Sequence, residues 1–204
     1  VAPADPIPQT WTDADVSLID KILSLDRMDR VMSELQRTKA PGTDGIRPEM
    51  VIEAWDIIKS PIRYIMKHSL LLGMTPSGWR LAEGVVIPKP GREDYAVCKS
   101  FRIISLTPVV LKMLEKLVLW HLQSDLKVDQ AIKKTQFGFR RGSSTEAAVH
   151  KLTRRVERSL TAGNYALGVF LDIEGAFDNI SFSALAGALT SKGIVGGIGC
   201  CIVS

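Results

Sequence analysis

The chain has 204 residues, of which 46% are hydrophobic, 24% charged and 6% aromatic. That length suits one large domain, or one and an incomplete second, with core enough to dispense with a disulfide or metal scaffold. The apolar content excludes a disordered chain, and 16 Gly and 10 Pro in no repeating pattern exclude a collagen-like polymer. No apolar run is long enough to read as a transmembrane helix. Three cysteines, two of them adjacent (Cys200 and Cys201), make no disulfide framework and fit a reducing compartment. The chain starts on Val1 with no basic-then-apolar leader, which suggests a piece cut from something longer.

Charge is unevenly placed. The 26 Lys/Arg and 22 Asp/Glu give a net charge of +4, yet residues 80–160 hold 16 of the basic residues against 8 acidic ones. A basic middle between acidic ends points to a surface that meets a polyanion, and its plain alternative is an ordinary solvated face.

Residues 1–10 carry three prolines and read as a linker or frayed end. A helix is expected from Asp26 as N-cap, with Met28, Val31, Met32 and Leu35 at helical spacing. Lys39-Ala-Pro-Gly-Thr-Asp-Gly45 is a cluster of turn formers. Pro48 opens a helical stretch in which 50–58 and 61–72 read as two helices broken at Ser60-Pro61. After a loop over 73–78, residues 82–87 read as a short strand running into the polar turn Lys89-Pro-Gly-Arg-Glu-Asp94. Thr107 caps a long helix with Leu111, Leu114, Leu117, Val118, Leu122 and Leu126 on one face. Ser143-Ser-Thr-Glu146 is a capping box for a helix with Val149, Leu152, Val156 and Leu160 inside and Lys151, Arg154, Arg155 and Arg158 outside. Gly163-Asn164 ends it. The continuous apolar run 166–171 has strand length and stops at Asp172, and Ser181 caps a last helix ending near Gly193. Many helices with few, separated strands give an α+β class.

The chemistry-bearing residues follow from this layout. A carboxylate at the end of a buried strand needs a metal ion, a basic side chain or a helix N-terminus as partner, although Asp172 could also merely cap the next turn. Glu174 and Asp178 add negative charge, and oxygen-only donors favour Mg²⁺. Lys89 and Arg102 lie on a strand–loop–strand hairpin from which two cations can clamp a triphosphate. Gln136-Phe-Gly-Phe-Arg-Arg-Gly-Ser-Ser-Thr145 interleaves aromatics, glycines and arginines before a helix N-terminus, a composition suited to phosphate and to base stacking. Either phenylalanine could equally be core.

In order and spacing, five blocks resemble the reverse transcriptase domain of non-LTR retrotransposons, close to the jockey-like elements. They are Lys39-Ala-Pro-Gly-Thr-Asp-Gly-Ile46, Val86-Ile-Pro-Lys-Pro-Gly91, Ser100-Phe-Arg-Ile-Ile-Ser-Leu106, the 136–145 block and Val169-Phe-Leu-Asp-Ile-Glu-Gly-Ala-Phe-Asp178. Leu114-Glu-Lys-Leu117 is also typical. The resemblance covers residues 11–193 and implies the fingers and a partial palm of a right-hand polymerase, helix-rich with few strands. It implies that residues 11–193 are a partial reverse transcriptase domain and that 194–204 are a divergent tail.

The resemblance also implies roles. Asp172 is the catalytic carboxylate that ligates Mg²⁺ (Mn²⁺ as the alternative), and the Ile173 backbone carbonyl touches the same metal. Lys89, Arg102, Ile173, Ala176 and Phe177 bind the incoming nucleotide, Phe177 lying under its sugar. Gln136, Gly138, Arg140 and Arg141 contact the template. The implied partners are an RNA template, a DNA primer, deoxynucleoside triphosphates and the remainder of a retrotransposon polyprotein, with no membrane, in cytoplasm and nucleus. The implied reaction is in-line attack of a primer 3′-hydroxyl on an α-phosphate between two metal ions.

Two departures matter. Arg102-Ile103-Ile104-Ser105 stands where the family usually has Arg-Pro-Ile-Ser, so the arginine is expected to be less firmly aimed. No aromatic-x-Asp-Asp turn follows Asp178, and the glycines of 193–204 are expected to spoil a helix there. With one carboxylate of the set, the chain alone is expected to be inactive as a polymerase. A fragment of an RNA-directed DNA polymerase, a non-catalytic RNA-binding module and an inert remnant all stay open on this reading.

Overall fold

The computed structural model describes residues 11–140, 142–173, 175–176, 179–194 and 196–203. The described residues of Val1–His121 and Phe182–Ser204 form one compact unit, and those of Leu122–Ser181 form another. The linker expected over residues 1–10 lies outside the described residues.

The first unit is built on helices α1 (Asp13–Ile22), α2 (Leu25–Ser33), α3 (Pro48–Leu72) and α4 (Val109–Trp120). Helix α1 starts on a capping box: the Thr12 hydroxyl accepts from the Asp15 amide at 3.2 Å, and the Asp15 carboxylate accepts from the Thr12 amide at 3.0 Å. Two orphan amides are thereby satisfied. Helix α2 begins two residues earlier than expected, with Ser24 rather than Asp26 at the N-cap, and buries Met28, Val31 and Met32 as its spacing predicts. Ile19, Ile22 and Leu23 from α1 join Val51, Trp55, Ile62, Met66 and Leu70 of α3 and Met113, Leu114 and Leu117 of α4 to form the core.

Polar contacts fix how these helices meet. Trp55 donates its indole N–H to Asp29 at 2.6 Å, tying α3 to α2. Glu34, just past α2, accepts from Lys116 of α4 at 2.5 Å, while Arg30 and Lys116 both lie over the Trp120 ring. The Lys116 hydrogen bond holds the Glu34 carboxyl below its ordinary range.

Asp20 of α1 accepts from Lys67 at 2.8 Å and from Arg63 at 2.6 Å, both on α3. Chiefly through the Lys67 hydrogen bond, its pKa falls below the ordinary 3.8. A carboxylate with a depressed folded pKa binds its proton more readily in the unfolded chain. Its contribution is therefore complete above the unfolded value and is lost as pH falls through the folded one. Asp20→Asn is expected to flatten the acid side of the stability profile. Wild type should lose about 0.5 to 1 kcal/mol more than the variant from about pH 5 to pH 3, the ceiling for a partly solvated pair. Urea midpoints across that range check it.

Helix α3 corrects the expected break at Ser60-Pro61: it is continuous for 25 residues with Pro61 inside. Pro61 and Ile57 are both exposed, so the rung of the helix ladder that a proline interrupts lies on the solvent side, while Ile62, Met66 and Leu70 hold the opposite side in the core. Thr107 also proves not to be the cap of α4. Pro108 takes that place without a side-chain hydrogen bond, and Thr107 ends the segment leading in from the hairpin.

The expectation that the terminal glycines spoil a helix is overturned. Helix α6 (Phe182–Ser191) ends at Gly193 with φ +74, the Ile194 amide returning to the Leu189 carbonyl at 3.0 Å and the Gly193 amide to Thr190 at 2.9 Å. Helix α7 (Gly196–Val203) follows and packs on α3 and α6, burying Ile194 and Ile198. Glycine costs helix propensity, but it removes the side chain where two backbones meet. A Cβ on Gly197 would overlap the Leu70 carbonyl oxygen of α3, and one on Gly73 would lie 2.7 Å from the Cys200 Cβ. Close packing wins over propensity.

Strands β1 (Glu83–Pro88) and β2 (Phe101–Leu106) form an antiparallel hairpin in the register Glu83↔Leu106 to Pro88↔Phe101. The expected strand begins one residue later than read from the sequence.

A π-helical turn, His121–Asp125, begins on the last residue of Val1–His121, and the chain of the second unit then runs through a 3₁₀ turn, Val128–Ala131, to helix α5 (Thr145–Thr161). The cap is Ser144 rather than Ser143, its hydroxyl accepting from the Ala147 amide at 3.1 Å. Gly163 with φ +77 ends the helix, and the Asn164 amide reaches the Ser159 carbonyl at 2.9 Å. Two expectations are corrected here. Val149, Leu152 and Leu160 are exposed and Val156 half-buried, so α5 has no buried face. Residues 166–171 form no strand, and Leu167, Val169, Phe170 and Leu171 are exposed. A strand needs a partner for its backbone groups, and within this unit none is supplied to the run.

Candidate functional site

The hairpin brings two of the expected residues together. Arg102 stands opposite Ile87 in the register, and the Lys89 amide donates to the Ser100 carbonyl at 2.8 Å, extending the pairing past β1. Side chains alternate along a strand, so Ile87, Lys89 and Arg102 share one face. Lys89 and Arg102 are diagonal neighbours there, at the roughly 7–8 Å spacing of such pairs, within reach of one polyphosphate.

The turn that presents Lys89 is internally tied. Its ammonium donates to the Lys99 carbonyl at 2.7 Å, and Tyr95 donates its hydroxyl to the Lys89 carbonyl at 2.8 Å. The Tyr95 ring meets Phe101 edge-on, with centroids 5.9 Å apart. The Asp94 carboxylate accepts from the Ala96 amide at 2.7 Å, and Ser100 donates its hydroxyl to the Asp94 carbonyl. Sequence reasoning missed Tyr95. Nothing in its spacing marks it, because its partner is a main-chain carbonyl six residues away. Ile103 occupies a strand position opposite Val86, where a β-branched residue fits the ladder.

The second unit carries the remaining candidates. Gln136 is exposed and donates its side-chain amide to the Gly138 carbonyl at 3.3 Å. The turn continues through Phe139 at φ +58 to Arg140, whose carbonyl accepts from the Ser143 amide at 3.2 Å. This folded loop delivers the chain to the N-terminus of α5, whose positive helix end favours an anion. Phe137 is half-buried, and the Lys151 ammonium lies 5.3 Å from its ring centroid. Lys151 thus links the loop to a helix whose exposed surface also bears Arg154, Arg155 and Arg158. Arg141 lies outside the described residues.

Asp172 is exposed rather than desolvated at the end of a buried strand, and Ile173 and Ala176 are exposed beside it. Gly175 with φ +62 turns the chain, its carbonyl accepting from the backbone amide of Asn179 at 3.0 Å and from its side-chain amide at 2.9 Å. Glu174, Phe177 and Asp178 lie outside the described residues. Among the described residues, no three His, Cys, Asp or Glu side chains cluster as metal ligands, and no helix is long and apolar enough to cross a membrane. Lys89 and Arg102 belong to the first unit, and Gln136, Gly138, Arg140, Asp172, Ile173 and Ala176 to the second.

Comparison with known proteins supplies the context. The family model for reverse transcriptase (RNA-dependent DNA polymerase) matches residues 87–196. The chain is 31% identical over 165 residues to the RNA-directed DNA polymerase from mobile element jockey of Drosophila melanogaster, an overlap covering 81% of this chain and 18% of that protein. It is 32% identical to the retrovirus-related Pol polyprotein from type-1 retrotransposable element R1 of Bradysia coprophila, over 84% of this chain and 18% of the relative. The putative 115 kDa protein in type-1 retrotransposable element R1DM of Drosophila melanogaster is 29% identical over 91% of this chain and 18% of its own length. The chain thus spans about a fifth of the length of these curated relatives. With the match over 87–196 running from the hairpin through α5 to Asp172 and beyond, the chain belongs to the reverse transcriptase (RNA-dependent DNA polymerase) family, as the polymerases of jockey- and R1-type non-LTR retrotransposons do.

Proposed function

We propose that this chain is the nucleotide- and template-holding part of an RNA-directed DNA polymerase, the fingers and beginning of the palm of a right-hand polymerase over residues 11–193. The observation that carries the proposal is the shared hairpin face of Lys89 and Arg102, fixed by the pairing register. Arg102 offers a planar fork for two phosphate oxygens, and Lys89 offers a point charge on the neighbouring position. Exchange of the Lys99 carbonyl for a phosphate oxygen would free the Lys89 ammonium to bind it. The RNA template is assigned to Gln136, Gly138, Arg140 and Arg141 and to the basic surface of α5, with phosphate contacts setting register rather than reading sequence. Ile173, Ala176 and Phe177 are assigned to the sugar and base of the incoming deoxynucleotide.

Reverse transcription in this family depends on divalent metal, and Mg²⁺ is the ion we assign to Asp172 and the Ile173 carbonyl. The described residues do not fit a two-metal centre. Asp172 is the one described carboxylate of its block, and among the described residues no group of three acidic, imidazole or thiol side chains forms that could hold a metal ion. Phosphoryl transfer is accordingly assigned to the whole polyprotein, and nucleotide and template binding to this chain.

Arg102→Gln tests the assignment. Loss of a bidentate, charge-assisted contact of roughly 1.5–3 kcal/mol should weaken deoxynucleoside triphosphate binding at least tenfold. Equilibrium dialysis with a labelled nucleotide measures it. Equal affinity of variant and wild type would contradict the hairpin as the triphosphate site.

A further inference from the structure

We infer that the turn-rich loop 39–46 is a brace that sets the pose of the β1–β2 hairpin, with Gly42 as its positioning residue. The inference rests on the assignment of Lys89 and Arg102 to nucleotide only for its functional consequence, since the brace itself stands on packing. An isolated two-stranded hairpin is marginally stable in water. This one gains little from a core: every residue of β1 is exposed, and in β2 only the terminal Phe101 and Leu106 are half-buried. Its orientation is therefore set chiefly where it joins the helices of the unit, at Leu81 before β1 and at Thr107-Pro108 after β2.

Loop 39–46 touches both legs. Gly42 is buried so closely against the second leg that a Cβ there would lie 2.6 Å from the Pro108 nitrogen and 2.7 Å from the Thr107 carbonyl carbon. Those contacts are with backbone, which has no flexible end to move aside. Pro108 is itself fully buried, so the contact is anchored from both sides. On the first leg, the Thr43 hydroxyl reaches the Leu81 carbonyl at 3.5 Å, the long limit of a hydrogen bond. The loop keeps its own shape through the Gly45 amide bond to the Gly42 carbonyl at 3.1 Å and the Ile46 amide bond to the Asp44 carboxylate at 3.1 Å. Gly45 differs from Gly42 in kind. Its φ is +68, yet no atom lies within 4 Å of a Cβ placed there, so it serves the turn and not the hairpin.

Gly42→Ala in the full chain tests the brace by backbone amide exchange. Amides of 83–106 should exchange roughly tenfold faster, while those around Met66 and Leu117 keep wild-type protection. Deoxynucleoside triphosphate affinity should fall with the hairpin, and RNA affinity should not change. Unchanged hairpin exchange overturns the brace, and so does equal acceleration in hairpin and core, which would make Gly42 an ordinary core residue. Should Gly42→Ala not fold, Asp44→Ala loosens the loop without a clash. It should then accelerate hairpin exchange about fivefold, the worth of one hydrogen bond, and no acceleration overturns the brace equally. Exchange decides the matter even in a chain that binds no nucleotide, a result that would count against the nucleotide assignment alone.

Discussion

Gly197→Ala should destabilise the first unit by about 3 kcal/mol, although alanine is the better helix former. Two effects oppose each other at this site. Alanine in a helix interior is worth up to about 1 kcal/mol over glycine. Against that, the added methyl overlaps the Leu70 carbonyl oxygen of α3, which is main chain and cannot rotate away. Helix α7 must then move off α3, and Ile194 and Ile198, both more than nine-tenths buried, lose contact. Each buried isoleucine is worth roughly 1.5–3 kcal/mol, so even partial exposure of the pair exceeds the propensity gain. Gly187→Ala in α6 is the matched control, because open space surrounds its Cβ. It should stabilise by up to about 1 kcal/mol. Urea unfolding of both variants reads the opposite signs directly, and equal signs would show that α7 is not held by close packing on α3.

The second large effect concerns RNA. Replacing Arg154, Arg155 and Arg158 together by Gln should lower RNA affinity about a hundredfold at 0.1 M salt, because each phosphate contact on a single strand contributes about 0.7 of a logarithmic unit there. Folding should be almost untouched. No residue of α5 is buried, and exposed substitutions usually stay within about 0.5 kcal/mol. Fluorescence anisotropy with a labelled single-stranded RNA measures the loss, and near-wild-type affinity would remove α5 from the template surface.

The sequence carried local signals well and pairing signals poorly. Met28, Val31 and Met32, Leu114 and Leu117, and the glycine stops at Gly163 and Gly193 depend on neighbours within a turn or two, and they lie as read. The Thr12 and Asp15 box that opens α1 is a signal of the same local kind. Pro61 misled because its cost depends on which side of α3 the freed carbonyl faces, a tertiary fact. Residues 166–171 have strand composition, yet strand formation is a property of pairs, and the run is left exposed. The Gly197 contact with Leu70 was invisible for the same reason: propensity describes one helix, and the glycine serves two. Of the candidate site, the Lys89 and Arg102 hairpin was legible because both strands and their turn lie within 24 residues of sequence. Asp172 was expected in a dry site, and its exposure follows from the unformed strand before it.

Salt dependence of RNA binding tests the central claim most directly. If Arg140, Lys151, Arg154, Arg155 and Arg158 neutralise five phosphates, the logarithm of the association constant should fall with the logarithm of salt at a slope of about −3.5. The triple arginine variant should flatten that slope by about 2. A wild-type slope near zero would contradict the account, because a basic surface that releases no counterions holds no template.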